Sequence, residues 1–219
     1  MKCAVVVFSG TNCDVDVYRA CELVGWQPEY IQQNETDLSA YDVIIIPGTM
    51  SFEGNSNSIK IAKYTPVIGA IKEYIKNKKG FVLAICSGFH LLCEAGILPG
   101  ILTPNENNKF ICDDIELIFT EYKVNRTIVL PIAHSEGKFY ADPKTLTEID
   151  NKNMVFLKYK LNPNGSISNI AGLYDSENLV IGMMPHPEKA VCKELGLVDG
   201  KRIFDFIKIE LEDARSKAL

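Results

Sequence analysis

Short apolar runs alternate with segments of helical periodicity along the first half of the chain. Cys3–Phe8, Val43–Ile46 and Phe81–Ile85 are continuous apolar runs, which predict buried strands. Val15–Val24 and Pro66–Lys76 carry apolar residues at helical spacing, and a proline opens the second of them, as the first turn of a helix allows. Strands that alternate with helices indicate a parallel sheet with helices packed on it.

The second half of the chain is richer in strand patterns. Two of its apolar runs predict a hairpin that turns at the polar residues Asp175–Asn178. The elements predicted there are strands at Ile111–Phe119, Ile128–Ile132, Ile167–Leu173 and Leu179–Met183, and a final helix at Ile203–Leu211. The two halves together predict an α/β fold, a three-layer sandwich with a mixed, largely parallel central sheet. We expect residues 1–219 to form a single domain, because a chain of this length buries a substantial core.

Cys86 stands where a predicted strand passes into a predicted helix, in the stretch FVLAICSGFHLL. Ala84 and Gly88, two positions to either side, are small, as a nucleophile elbow requires where its tight turn brings backbones together. The partial positive charge of a helix N-terminus favours a thiolate at such a position. The alternative is a structural cysteine at a strand end, because free cysteine is often buried. This stretch by itself leaves both interpretations open.

A histidine that could serve such a thiol as a base occurs late in the chain. The candidates are His90, His134 and His186, and the last lies in the segment IGMMPHPEK after a predicted strand. Prolines on both sides favour extended backbone, in which His186 and Glu188 point the same way. A carboxylate beside an imidazole orients the ring and stabilises its cation. A rigid turn with a solvated histidine is the alternative, but the coincidence with the cysteine elbow favours a Cys86, His186 and Glu188 triad.

Composition excludes some classes of function. The net charge of −5 and the absence of a long basic run give no support to nucleic-acid binding. The seven cysteines are scattered, with no Cys-x-x-Cys pair and no Cys/His cluster of zinc spacing, so we expect reduced thiols, a cytoplasmic location and no metal site. The first apolar run is too short for a signal peptide or a membrane span, so no membrane association is expected.

An elbow cysteine followed by a late His-Pro-Glu resembles class I, triad-type glutamine amidotransferases, whose fold is flavodoxin-related. Other segments are similar, in the same order, to the glutaminase subunits of phosphoribosylformylglycinamidine synthase. These segments are FSGTNCD at Phe8–Asp14, PGTMSF at Pro47–Phe52, TPVIGAIKEY at Thr65–Tyr74, CSGF at Cys86–Phe89 and PIAHSEGKFY at Pro131–Tyr140. The resemblance thus extends over most of the chain.

The resemblance implies a glutaminase that works with a partner. The chain would hydrolyse glutamine through a cysteine thioester and pass ammonia to the synthetase large subunit, with a small accessory subunit as an option. That partner would convert formylglycinamide ribonucleotide to formylglycinamidine ribonucleotide in purine synthesis. This chain has no phosphate-binding G-x-x-x-x-G-K-[ST] or G-x-G-x-x-G motif, so ATP and magnesium are expected on the partner and no cofactor is expected here.

The family's oxyanion and glutamine contacts correspond to seven positions. The resemblance places the oxyanion donors at the backbone N–H of Ser87 and in the loop after the Val43–Ile46 strand, near Met50, and the amino-acid end of glutamine beside the segment around His134 and Ser135. A locally bonded histidine at a strand end is an alternative for His134, and a core histidine is an alternative for His90. The full set is Gly48, Thr49, Met50, Ser87, His90, His134 and Ser135.

Some residues depart from the family pattern, which usually has glycine at Thr49 and at Ala84, asparagine at Ser87 and glutamine at His90. These changes crowd the glutamine pocket and leave the catalytic trio intact. Three other functions stay open at this stage. They are the glutaminase component of a different amidotransferase, a catalytically weakened regulatory subunit, and a cysteine hydrolase or chaperone-like protein with a similar elbow.

Overall fold

The computed structural model of the chain describes residues 1–48, 57–78, 80–121 and 124–217, with only the backbone described at 57, 121, 124 and 195. Thr49 and Met50 lie outside the described residues. The strands are β1 (Lys2–Val7), β2 (Gln27–Gln32), β3 (Val43–Ile46), β4 (Phe81–Ile85), β5 (Ile101–Thr103), β6 (Ile111–Glu121), β7 (Val124–His134), β8 (Lys138–Tyr140), β9 (Val155–Tyr159), β10 (Ile170–Asp175) and β11 (Val180–Met183). The helices are α1 (Asp14–Leu23), α2 (Asn57–Ala62), α3 (Pro66–Lys76), α4 (Ser87–Glu94), α5 (Pro143–Asn151) and α6 (Lys201–Lys217), with 3-10 turns at Ile167–Asn169, Pro187–Lys189 and Lys193–Leu195.

The described strands form one nine-stranded sheet in the order β2-β1-β3-β4-β11-β10-β9-β6-β7, and β5 pairs separately with β8. Pairing is parallel from β2 through β11 and antiparallel from β11 through β7. Helices flank this sheet, so the predicted α/β fold with a mixed, largely parallel central sheet is confirmed. The strands β3 and β4, at the centre of the parallel part, are fully buried, which explains their continuous apolar sequences.

Most elements predicted from the hydrophobic pattern are confirmed, several with shifted ends. The strands Val43–Ile46 and Phe81–Ile85 and the helix Pro66–Lys76 have the predicted bounds. The predicted hairpin forms as β10 and β11, and the Asp175 carboxylate accepts backbone N–H bonds within its turn. Its first strand begins later than predicted, because residues 167–169 form a 3-10 turn.

The sequence patterns did not predict the strands β2, β5, β8 and β9 or the helices α2 and α5. Strand β2 lies at an edge of the sheet, is mostly exposed and contains Pro28, so it lacks both the alternation and the apolar run of a typical strand. Helix α5 has few apolar residues, although Asp142 caps it by accepting a bond from the Thr145 N–H and Pro143 opens it.

The pairing of β11 with β4 positions the candidate site. Strand β11 lies parallel to β4, with Met183 beside Ile85, so both strands end at the same edge of the sheet. The backbone N–H of Cys86 donates to the Met183 carbonyl at 2.7 Å. The segment that carries His186 therefore begins next to the strand-to-helix turn that carries Cys86. Among the helices described, none is long and apolar enough to cross a membrane.

Candidate active site

Cys86 occupies a strained turn between β4 and α4. Its φ is +54° and its ψ is −114°, a conformation that non-glycine residues rarely adopt. Such backbone costs of order 1–3 kcal/mol and persists where the surrounding structure holds it. Here the Cys86 N–H bonds to Met183 and its carbonyl accepts the His90 N–H at 3.2 Å, the first bond of α4. The predicted strand-to-helix elbow is confirmed.

Close backbone packing explains the glycine two residues after Cys86. A Cβ atom on Gly88 would lie 2.5 Å from the Ile46 carbonyl oxygen and 2.9 Å from its Cγ2 atom. Glycine therefore allows α4 to start directly against the end of β3. Phe89, the next residue of α4, packs where a Cβ on Gly182 would lie, at 2.2 Å from its ring. These contacts fix the start of α4 and hence the direction in which Cys86 is presented.

His186 and Glu188 form a buried pair. The His186 Nδ1 atom lies 2.6 Å from Glu188 Oε1, and the two side chains are 3% and 0% exposed. The pairing was predicted for extended backbone, but Pro187–Lys189 is a 3-10 turn, and that turn brings the two side chains together. The backbone N–H of His186 donates to the Pro131 carbonyl at 2.8 Å, which ties this segment to β7.

The three members of the predicted triad converge at the edge of the sheet. A Cβ on Gly48 would lie 3.1 Å from His186 Cε1 and 3.5 Å from Cys86 Cβ, so both side chains lie close to the same backbone position. The Cys86 Sγ atom is 3.9 Å from the Ala133 carbonyl oxygen. His186 Nε2 and Glu188 Oε2 are buried, and neither has a hydrogen-bond partner among the described residues.

The environment of His186 favours its protonated form. Burial acts to lower its pKa, but the Glu188 carboxylate and the Cys86 thiol together raise that pKa well above the ordinary value of 6.5. The pair with Glu188 fixes Nδ1 and leaves Nε2 as the ring atom that can exchange a proton with a reacting group. A base whose cation is stabilised in this way fits a cysteine–histidine ion pair.

His134 lies at the end of β7 in a polar network that fixes its tautomer. The Asn105 amide donates to the carbonyls of Lys109 and His134, so its Oδ1 atom is the acceptor. Oδ1 lies 3.0 Å from His134 Nδ1, which is therefore protonated, and His134 Nε2 carries the lone pair. Burial and the nearby His186 lower the pKa of His134 to about 4, which keeps it neutral at physiological pH.

The other predicted site residues that the structure describes are Ser87, Ser135 and His90. Ser87 is the first residue of α4 and follows Cys86, as an oxyanion donor requires. Ser135 is half-buried beside His134, and its carbonyl accepts the Asn105 N–H at 2.8 Å. His90 is buried one helical turn beyond Cys86. Burial lowers its pKa, and the charged groups that act on it are Glu94 and Lys60.

Cys13 is a second thiol at this site that sequence analysis did not single out. It precedes α1, and its backbone N–H donates to the Gly48 carbonyl at 3.4 Å. Its Sγ atom and ligand atoms of His186 and Glu188 all lie within 4.8 Å of one another. Burial raises the pKa of Cys13 to about 11, which disfavours its thiolate and so favours Cys86 as the nucleophile. Its sequence signals were its place after the first parallel strand and its position in the segment FSGTNCD.

An elbow cysteine beside a buried histidine–glutamate pair is an arrangement for acyl transfer through a thioester. The comparisons with known proteins agree with that class. Residues 1–195 match the CobB/CobQ-like glutamine amidotransferase domain family, and the chain belongs to this family of glutamine amidotransferases.

Similar proteins narrow the assignment within that family. The chain is 41% identical over 223 residues to phosphoribosylformylglycinamidine synthase subunit PurQ of Lacticaseibacillus paracasei, covering 98% of this chain and 97% of that protein. It is 44% identical over 214 residues to the PurQ subunit of a Nostoc species, covering 93% of this chain and 95% of that protein. These relatives place the chain among the PurQ glutaminase subunits.

Solved structures agree with this placement. A chain in the structure of PurLQS from Thermotoga maritima superposes with a TM-score of 0.85 at 33% identity, covering 96% of this chain and 98% of that chain. A putative GMP synthase subunit from Thermoplasma acidophilum, at 13% identity and a TM-score of 0.68, shares the fold.

Proposed function

We propose that this chain is the glutaminase subunit of a phosphoribosylformylglycinamidine synthase. It hydrolyses glutamine to glutamate and ammonia, and a synthetase partner uses the ammonia to convert formylglycinamide ribonucleotide to formylglycinamidine ribonucleotide. The observation that carries the proposal is the elbow cysteine Cys86 beside the buried His186–Glu188 pair, in a chain of the PurQ family.

Cys86 is the nucleophile of the proposed reaction. Its thiolate attacks the side-chain carboxamide carbon of glutamine and forms a tetrahedral oxyanion. The Ser87 N–H, in the first turn of α4, donates to this oxyanion, and a second donor comes from the loop after β3 around Gly48, Thr49 and Met50. Collapse of the intermediate breaks the carbon–nitrogen bond and leaves the γ-glutamyl thioester on Cys86.

His186 moves the protons. Its Nε2 atom gives a proton to the departing ammonia, then takes one from the water that hydrolyses the thioester. Glu188 holds the ring through Nδ1 during both steps and stabilises the imidazolium. Glu188 itself is almost fully buried, so its charge acts on His186 with little screening by water.

His134 and Ser135 contact the amino-acid end of glutamine in this proposal. His134 Nε2 is a buried acceptor whose tautomer the Asn105 network fixes, so it suits a hydrogen-bond donor such as an ammonium group. Gly137 supports the ring, because a Cβ at that position would lie 2.2 Å from His134 Cε1. His90 acts from α4 on the same pocket, where the family usually has glutamine.

The proposed partner is the synthetase large subunit, with a small accessory subunit as an option. The chain itself carries no cofactor, and ATP and magnesium bind to the partner. Ammonia in water is mostly protonated and then has no nucleophilic lone pair, which favours its transfer through a closed passage between the subunits. The name PurLQS for the similar Thermotoga maritima structure supports this assembly.

We place the enzyme in the cytoplasm and treat residues 1–219 as one catalytic domain. All seven cysteines are free thiols, which agrees with a reducing compartment. One sheet runs from β2 to β7 through the strands on both sides of the site, which supports a single domain.

Ammonia release from glutamine tests the proposal. The chain is assayed alone and with the synthetase large subunit, its nucleotide substrate, ATP and magnesium. We expect glutamine-dependent formation of formylglycinamidine ribonucleotide only when both proteins are present. A glutaminase that couples to a different synthetase would point to another amidotransferase, and a chain that binds the synthetase without releasing ammonia would point to a regulatory subunit.

A further inference from the structure

Cys13, His186 and Glu188 come together from distant parts of the chain. Their ligand atoms, the Cys13 Sγ, a ring nitrogen of His186 and a carboxylate oxygen of Glu188, all lie within 4.8 Å of one another. All three residues are buried, at 8%, 2% and 2% exposure. The proposed glutaminase reaction uses His186 and Glu188 but gives Cys13 no role.

Two buried polar atoms of this cluster make no hydrogen bond to the described residues. Glu188 Oε1 pairs with His186 Nδ1, but Glu188 Oε2 and His186 Nε2 have no hydrogen-bond partner among the described residues. A buried polar atom without a partner is costly, and a ligand that binds it recovers that cost. Among the described residues, the hydrogen-bond contact of the Cys13 thiol is a long one, 3.4 Å to the Asn12 side-chain oxygen.

We propose that Cys13, His186 and Glu188 form a binding site for a thiophilic divalent cation of the zinc type, and that the bound cation inhibits the glutaminase. Thiolate, imidazole and carboxylate are the ligands that zinc takes in proteins. Metal–ligand bonds of about 2.0–2.3 Å put two ligands of a tetrahedral zinc roughly 3.3–3.8 Å apart, so small side-chain rotations close the site.

The charges of the cluster match this cation. Binding replaces two protons with metal–ligand bonds, the S–H proton of Cys13 and the proton on the His186 ring nitrogen that binds, and both pass to the solvent buffer. Thiolate and carboxylate then carry two negative charges that a divalent cation neutralises. Lys189 also faces the cluster, but its ammonium pairs with the Asp16 carboxylate. Water would complete the coordination of a tetrahedral cation held by these three ligands.

We expect inhibition whichever ring nitrogen of His186 binds the cation. A cation on His186 Nε2 occupies the atom that exchanges protons with the substrate. A cation on Nδ1 replaces the bond to Glu188 and releases the ring from its orientation. This consequence rests on the proposed glutaminase function, whereas cation binding does not.

Direct binding therefore tests the site first. The metal-free full-length chain is titrated with Zn²⁺ in competition with a chromophoric chelator. We expect one tight equivalent, weakened at least about tenfold by Cys13→Ser and by Glu188→Gln, since each removes a ligand. The exposed thiol of Cys112 provides the matched control, and Cys112→Ser is expected to bind as the parent does. Equal affinities for Cys13→Ser and the parent would overturn the proposal.

Co²⁺ distinguishes Cys13 from the nucleophile. In the Cys86→Ala, Cys112→Ser background, Co²⁺ is expected to give thiolate-to-cobalt charge-transfer absorption, which the addition of Cys13→Ser removes. Its absence in the background with Cys13 intact would contradict the site even if Cys13→Ser does not fold. In the assembled synthase, Cys13→Ser is expected to keep the zinc-free rate and to raise the half-inhibitory Zn²⁺ concentration at least about tenfold. An unchanged half-inhibitory concentration would refute the inhibitory role.

Discussion

Glu188 Oε1 lies 2.6 Å from His186 Nδ1, and the two residues are joined by a single 3-10 turn. This contact orients the ring and raises the pKa of His186 against the effect of burial. The contact also predicts the effect of replacing Glu188 with a neutral residue.

Glu188→Gln is expected to lower glutamine-dependent kcat by roughly 10²–10⁴-fold, because the amide loses the charge and can select the wrong tautomer. The pKa of His186 should fall in the variant, which histidine NMR titration measures directly. Glu194→Gln, which neutralises an exposed carboxylate nearby in sequence, serves as the control. An unchanged kcat in Glu188→Gln would remove Glu188 from the triad.

Cys86→Ala is expected to abolish glutamine-dependent synthesis and to leave ammonia-dependent synthesis by the partner intact. The reason is that only glutamine use needs the thioester. Both activities of the assembled enzyme are measured with each nitrogen source, and Cys112→Ala, at an exposed thiol, controls for general thiol loss. Retained glutamine use would show that another residue is the nucleophile.

Gly88→Ala is expected to lower the free energy of unfolding by about 1–3 kcal/mol, because the added Cβ would lie 2.5 Å from the Ile46 carbonyl oxygen. A shift of the elbow also misplaces Cys86, so the glutaminase kcat should fall at least tenfold. Urea unfolding and ammonia release measure the two effects.

Gly69→Ala is the matched control for that substitution. Gly69 lies in α3, and a Cβ there meets nothing within 4 Å. Alanine should leave activity unchanged and raise the free energy of unfolding by up to about 1 kcal/mol. Similar losses in the two variants would argue against a steric role for Gly88.

His134 should make the free energy of unfolding fall on acidification. The pKa of His134 is about 4 in the folded protein and its ordinary value is 6.5. Between these pH values, His134 is protonated in the unfolded state and neutral in the folded state. The contribution of His134 to the free energy of unfolding is fully present above pH 6.5 and is lost as pH falls towards 4. The loss is about 3 kcal/mol. His186 has the opposite sign, because its folded pKa is raised, and its contribution declines as pH rises above 6.5.

Urea unfolding of the parent and of His134→Gln at several pH values isolates this contribution. The difference between the two proteins should shrink as pH falls from 6.5 towards 4. A difference that does not change with pH would mean that His134 titrates as it does in the unfolded chain.

His90→Gln is expected to change KM for glutamine more than kcat, since it alters the pocket and leaves nucleophile, base and oxyanion donors in place. Burial lowers the pKa of His90, which favours the neutral ring, so the KM ratio should vary little between about pH 6 and 8. Steady-state kinetics with the partner synthetase measure it. A KM equal to that of the parent at every pH would assign His90 to the core.

Local sequence determined the elements that carry the site. The apolar runs that form β3 and β4 are buried on both faces, so their continuous hydrophobic sequences predicted strands without knowledge of the fold. The small residue Gly88 marks the turn in the sequence, although the contact that requires it is with Ile46 of β3, and the His186–Glu188 pair spans two residues. Asp142 and Pro143 are typical residues for the start of a helix, but the apolar residues of α5 were too few to predict it.

Tertiary structure alone decided what these elements place together. The hydrogen bonds that pair β4 with β11 join strands far apart in sequence, and no local pattern specifies that order. That pairing sets Cys86 beside His186. The order of β1, β3 and β4 then brings Cys13 to the same edge, and Asn105, on a loop before β6, fixes the tautomer of His134. Such contacts depend on long-range packing, so the triad could be predicted from its residues but its surroundings could not.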